Sequence, residues 1–140
     1  MITTADRSHP PLPTTPDRLP HVFAARFNGR DAAAVQEVYE RGATFVPEPG
    51  GPVTTAEGIA RANARFLGLG LPITVRPRHV YAAGDIALLV VDWEIDGTGP
   101  DGQPLRVAAT ATDIARRGPD GRWRYVVDNP FGTGPAPRGA

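Results

Sequence analysis

The amino-acid sequence predicts an α+β domain in which three helices precede a curved, mostly antiparallel sheet. Three observations carry this expectation. Apolar residues recur at helical spacing up to about residue 67, the period changes to two from Pro72 onward, and 140 residues suffice to bury one core but are short for two.

Taken in order, the first 15 or so residues hold prolines at 10, 11 and 13 among threonines, a composition too poor in apolar surface to offset its ordering entropy, and the tail is set at 1–16. A flexible tail is expected there, and again over 132–140, leaving a folded unit at 17–131. Leu19, Val22, Phe23 and Phe27 mark a first helix, with Pro20 tolerated only near its first turn. Asp31 caps a second, whose stripe is Val35, Val38 and Tyr39 and whose stop is Gly42. Residues 43–52 begin as a strand and then meet three prolines and two glycines, so a rim loop follows. Thr54 and Glu57 form a capping-box pattern for a third helix with Ile59, Ala62, Asn63, Phe66 and Leu67 on one face. Asn63 is the one polar residue of that face.

The second half reads as a four-stranded meander: ITVRPRHVYAA, a turn at Gly84-Asp85, IALLVVDWEID, then LRVAATATDIARR and RWRYVVDNPF after Gly/Pro/Asp-rich turns. Strand 86–95 is apolar on both phases, so both sheet faces are expected to be covered. Helices cover one; the other meets either a second subunit, giving a homodimer, or the chain's own loops and tail.

Composition narrows the chemistry more than any motif does. Lys+Arg and Asp+Glu each number 15, leaving no basic excess for nucleic acid or an anionic membrane. No apolar run approaches the ~18 residues of a membrane span and no signal-peptide core is present, so a cytoplasmic setting is expected. Cysteine and lysine are absent and the one serine is Ser8, which removes thiol, Schiff-base and serine-triad chemistry. The three histidines lack ligand spacing and no glycine-rich phosphate loop follows a strand; neither a metal nor a cofactor is expected. What remains for chemistry is carboxylates, three histidines, three tyrosines and threonines, and for an enzyme proton transfer by a carboxylate is the natural class.

The order of helix pair, short strand with a Pro/Gly rim, helix and long curved strands resembles the NTF2-like (cystatin-like) cone. RFNGRDAAAVQEVYERGATFVPEPGGPV, VYAAGDIALLVVDWEI and WRYVVDNPF resemble its SnoaL-like branch, related to ketosteroid isomerases and polyketide cyclases. The resemblance covers residues 17–131. It implies a pocket for a small hydrophobic or polyketide-like molecule, a setting in secondary metabolism, and cofactor-free isomerisation, ring closure or hydrolysis; a non-catalytic binding protein and a dimeric assembly module are the alternatives.

It also implies site residues. Asp113 matches the acid of the isomerase oxyanion hole, a carboxyl kept protonated by an apolar cavity, as in the ketosteroid isomerase example among established pKa-tuned sites; a solvated or arginine-paired strand-end aspartate is the other reading. Glu48 lies near the family's proton-shuttling carboxylate, given a one-residue insertion, and otherwise reads as an exposed loop glutamate. Tyr39 matches a tyrosine that orients a carboxyl, and otherwise is a core ring with a wet tip. The helix-one tyrosine of the family is replaced here by Phe23 and Phe27. Alternation along the strands puts Trp93 in the pocket wall with Asp92 outside, and Asn129 inward with Asp128 outside. The small Ala/Thr residues of VAATATDIA leave either an open cavity, with Phe23, Phe66, Trp93 and Asn129 against the bound molecule, or a volume that Phe23, Phe66 or Trp93 fills by reaching across. His79 is a general base if the pocket reaches it, or else a structural histidine.

Overall fold

The computed structural model describes residues 9–134; the tail readings for 1–8 and 135–140 lie outside the described residues. A single 3-10 turn at Pro16–Arg18 leads into α1 (Leu19–Asn28), where Pro20 sits in the first turn as its missing N–H requires. Leu19, Val22 and Phe27 are buried along one side of α1. Asp31 caps α2 (Ala32–Gln36), its Oδ1 accepting from the Ala34 amide at 3.0 Å.

The second helix is shorter than its apolar stripe predicts. Val38 and Tyr39 are buried, but Tyr39 opens strand β1 (Tyr39–Phe45), where it lies opposite Tyr125. The tyrosine rings pack 5.8 Å apart, and Gly42, at φ +83°, falls where the β1 register shifts instead of ending a helix. Long-range pairing has overridden the local helical spacing.

The Pro/Gly segment after β1 is a rim loop, closed where Phe45 and Val53 exchange backbone hydrogen bonds of 2.9 and 2.7 Å. α3 (Ala56–Leu67) follows. Its cap is Thr55, one residue later than the capping-box pattern placed it, with the hydroxyl accepting from the Gly58 amide. Ile59, Ala62 and Asn63 are buried on its inner face.

Strands β2 (Ile73–Ala83), β3 (Ile86–Thr98), β4 (Pro104–Arg117) and β5 (Trp123–Asp128) form the expected antiparallel meander, and β1 adds to it in parallel beside β5, giving the order β1-β5-β4-β3-β2. Two bulges flip the side-chain phase. Arg78 is the extra residue between the pairs Pro77–Val91 and His79–Val90, and Val126 is the extra residue between Tyr125–Ala115 and Val127–Ile114.

The inner face of the sheet, with Ala87, Leu89, Val91, Trp93 and Ile95 of β3, packs beneath the helices. Among the described residues the outer face is left open: Tyr81 is 59% exposed, with Ile86 and Leu88 more than a third exposed beside it. Residues 10–16, expected as part of a loose tail, are instead pinned. The buried Arg26 guanidinium donates to the carbonyls of Ala34 and Pro10 and to Glu37; Arg122 donates to the Leu12 carbonyl, and the Trp123 amide to that of Pro13. Polar anchoring has supplied what the segment's composition lacks.

Candidate functional site

Between the helices and the inner sheet face lies an open-mouthed cavity of about 60 Å³. α1 contributes Phe23 and Phe27, α3 Asn63 and Phe66, β3 Val91 and Trp93. Phe66 meets Trp93 edge-on at 6.4 Å, and the Trp93 indole N–H donates to the Pro130 carbonyl at 2.6 Å, so the wall is fixed by both packing and a hydrogen bond.

The polar groups converge at one place. Asp113 of β4 and Asp128 of β5 both line the cavity and are buried, at 4% and 8% exposure. Asp113 Oδ1 accepts from the Asn129 amide at 2.8 Å. Asp128 Oδ2 accepts from the Tyr39 hydroxyl at 2.6 Å, and that hydroxyl oxygen accepts from Asn63 Nδ2 at 3.0 Å. No arginine or histidine lines the cavity among the described residues.

Burial, and then the charge of Asp128, pushes the Asp113 carboxyl well above the ordinary carboxylate range. Burial likewise pushes Asp128 up to about 6, while hydrogen bonds from Tyr39 and Asp113 hold it from rising further. Two carboxyls in hydrogen-bond contact in an apolar cavity cannot both ionise at low cost, so the pair titrates as a unit. Tyr39 and Tyr125 are both raised, chiefly by burial, and stay neutral donors across the physiological range.

Of the residues singled out in the sequence, Phe23, Phe66, Trp93 and Asp113 line the cavity, and Tyr39 stands behind it, against Asp128. Glu48 does not: it is exposed in the rim loop, where the Pro/Gly backbone turns it away from the cavity. Asn129 is also displaced, its side-chain amide donating to Thr112 Oγ1 and the Gly132 carbonyl. The bulge at Val126 is the cause, because one extra residue rotates Asp128 inward and Asn129 out of the phase set by Trp123 and Tyr125. The bulge at Arg78 acts likewise on His79, which is exposed on the outer face and stacked on Tyr81 at 5.6 Å.

Asp128, Asn63 and Tyr125 complete the site. Nothing in the doublet Val126-Val127 signals the phase change, since either valine fits either face. The signal for Asn63 was present: an amide amid an otherwise apolar helix face.

The model of the SnoaL-like domain matches residues 21–126, well over half of the chain. The chain belongs to the SnoaL-like domain family. No curated protein matches this SnoaL-like chain in sequence. Among solved structures, an NTF2-like superfamily protein from Salmonella enterica superposes with a TM-score of 0.70 at 15% identity, covering 88% of this chain and 92% of its own. A protein from Thiobacillus denitrificans, provisionally described as a calcium/calmodulin-dependent protein kinase type II association domain, gives 0.68 at 22%, covering 86% and 96%. A ketosteroid isomerase-like protein from Erwinia carotovora gives 0.67 at 17%, covering 79% and 87%. At such identities these likenesses establish the NTF2-like fold and leave the reaction to the site itself. Among the described residues no three histidine, aspartate or glutamate side chains are placed to hold a metal ion, and no helix is long and apolar enough to cross a membrane.

Proposed function

We propose that this SnoaL-like domain binds a small hydrophobic, polyketide-like molecule in a cytoplasmic setting and moves a proton on it with its own carboxyls, in an isomerisation, ring closure or hydrolysis. The observation that carries this reading is the buried pair Asp113 and Asp128 at the polar end of an otherwise apolar cavity. In it, protonated Asp113 donates a hydrogen bond to an oxygen that gains charge, and ionised Asp128 accepts the proton; Asp128 thus takes the base role that the family resemblance implies for Glu48. Among the described residues the lining has no cation to offset the pair's charge, which favours a ligand that is uncharged at its buried end.

Mass spectrometry of small molecules retained by the purified protein supplies the candidate. With it, Asp113→Asn and Asp128→Asn should each lower turnover by about 10²–10⁴-fold, the range of a lost general acid or base. Turnover unchanged in both variants rejects the reading. A second reading, a non-catalytic carrier of a pathway intermediate, draws on α1, which presents to the cavity Pro20, Phe23 and Phe27 and therefore no hydrogen-bond donor. Retention of a ligand that the wild-type chain never converts selects that alternative.

A homodimer through the outer sheet face is a separate proposal, supported by the exposed Tyr81, Ile86 and Leu88 there.

A further inference from the structure

Asn63 is the polar exception on the buried face of α3, and a buried amide is retained only where its hydrogen bonds are made. Its Nδ2 donates to the Tyr39 hydroxyl oxygen, and Tyr39, with one proton to give, donates to Asp128. The direction of each bond follows from the one before. An amide nitrogen aimed at Tyr39 can only donate, so the tyrosine proton is free for Asp128, which must then accept.

Turned the other way, the Asn63 carbonyl oxygen would take the tyrosine proton. Tyr39 would have nothing to offer Asp128, and the contact between them could survive only with the proton on Asp128. Amide orientation and the protonation of Asp128 are therefore two descriptions of one arrangement. At the far end, the Asn129 amide occupies Asp113 Oδ1 as a donor, leaving Oδ2 as the seat for a proton.

We propose that Asn63 is a positioning residue that aims the Tyr39 hydroxyl proton at Asp128, so that the negative charge of the carboxyl pair sits on Asp128 and its proton on Asp113. The titratable groups facing Asp128 are Tyr39 from β1, Asp113 from β4 and Tyr125 from β5; α1 and α3 place no charged group in the cavity. Asn63 has no direct bond to either carboxyl, and it acts through Tyr39. This assignment rests on the acid-base reading for its bearing on turnover, but not for its own test.

That test is a carboxyl-carbon NMR titration of Asp128 in four chains: wild type, Asn63→Leu, Tyr39→Phe and the double variant. Asn63→Leu should raise the Asp128 midpoint by roughly a few tenths of a pH unit, because an unaided hydroxyl is the weaker donor, and Tyr39→Phe should raise it more. In the Tyr39→Phe background, Asn63→Leu should add nothing. An unmoved midpoint in Asn63→Leu, or a shift that persists without the tyrosine hydroxyl, overturns the proposal. Asn63→Ala, which introduces no larger side chain, serves the same comparison if leucine disturbs the packing. The titration needs no substrate, so its failure leaves the turnover test of the carboxyl pair standing, and the reverse.

Discussion

Asp128 carries a consequence for stability as well as for chemistry. Its folded midpoint, about 6, lies above the ordinary carboxylate value, so the folded chain holds a proton that the unfolded chain has already released. Folding is thus strengthened as pH falls from about 6 toward about 4, by up to about 3 kcal/mol from this group, and Asp113 acts in the same direction. The surface aspartates work oppositely: Asp92 and Asp120 are lowered by arginine side chains, and their contribution is lost only at more acid pH. Thermal unfolding between pH 4.5 and about 7.5 should therefore show a midpoint that rises on acidification, and Asp128→Asn should flatten that slope. A wild-type midpoint that falls over this interval would contradict the burial assigned to the pair.

Among the elements, the turn after β5 closes one side of the cavity. Pro130 lines it and accepts the Trp93 indole N–H, Phe131 meets the Trp93 ring edge-on at 5.6 Å, and Gly132 sits at φ +58° with its amide bonded to Asn129. A Cβ on Gly132 would lie 2.5 Å from the Thr110 carbonyl oxygen, a contact that backbone cannot relieve by a rotamer change. Gly132→Ala should cost about 1–3 kcal/mol and shift the Trp93 indole NMR signal while leaving that of Trp123 in place; an unshifted Trp93 signal would show that the turn does not set the wall. The elements differ in how far they could be read in advance. The β2–β3 hairpin was legible because two strand-length runs rich in β-branched and apolar residues flank the turn signal Gly84-Asp85, where Gly84 takes φ +62°. The bulges at Arg78 and Val126 were not, and each redirected a site residue, since a single extra residue reverses inward and outward for everything beyond it.

For the whole molecule, the same limit applies to pairing at a distance. Helices before sheet and the meander followed from local patterns, and the pocket from the family resemblance, whereas the parallel seat of β1 beside β5 joins segments that no local period connects. Tyr39 was accordingly read as helical, whereas it opens strand β1. The open outer face yields a prediction at this scale: the wild-type chain should sediment as a dimer and Leu88→Glu as a monomer, with unchanged thermal unfolding of the inner core. A wild-type monomer at micromolar concentration would remove that face as an interface.

The position of β5 has a further consequence, in time. It is the last strand in the sequence, yet it lies between β1 and β4, and Tyr39 and Asp128 meet across 89 residues. Until it docks, β1 has no strand beside it apart from the single bridge to Val53, and the carboxyl pair has one member. Non-local pairing of this kind slows folding, because loop-closure entropy is lost before the contacts form. A nascent chain thus carries most of the apolar wall, from Phe23 to Ala111, before it carries the second acid, and Pro130 and Phe131, which close one side of the cavity, follow only after it.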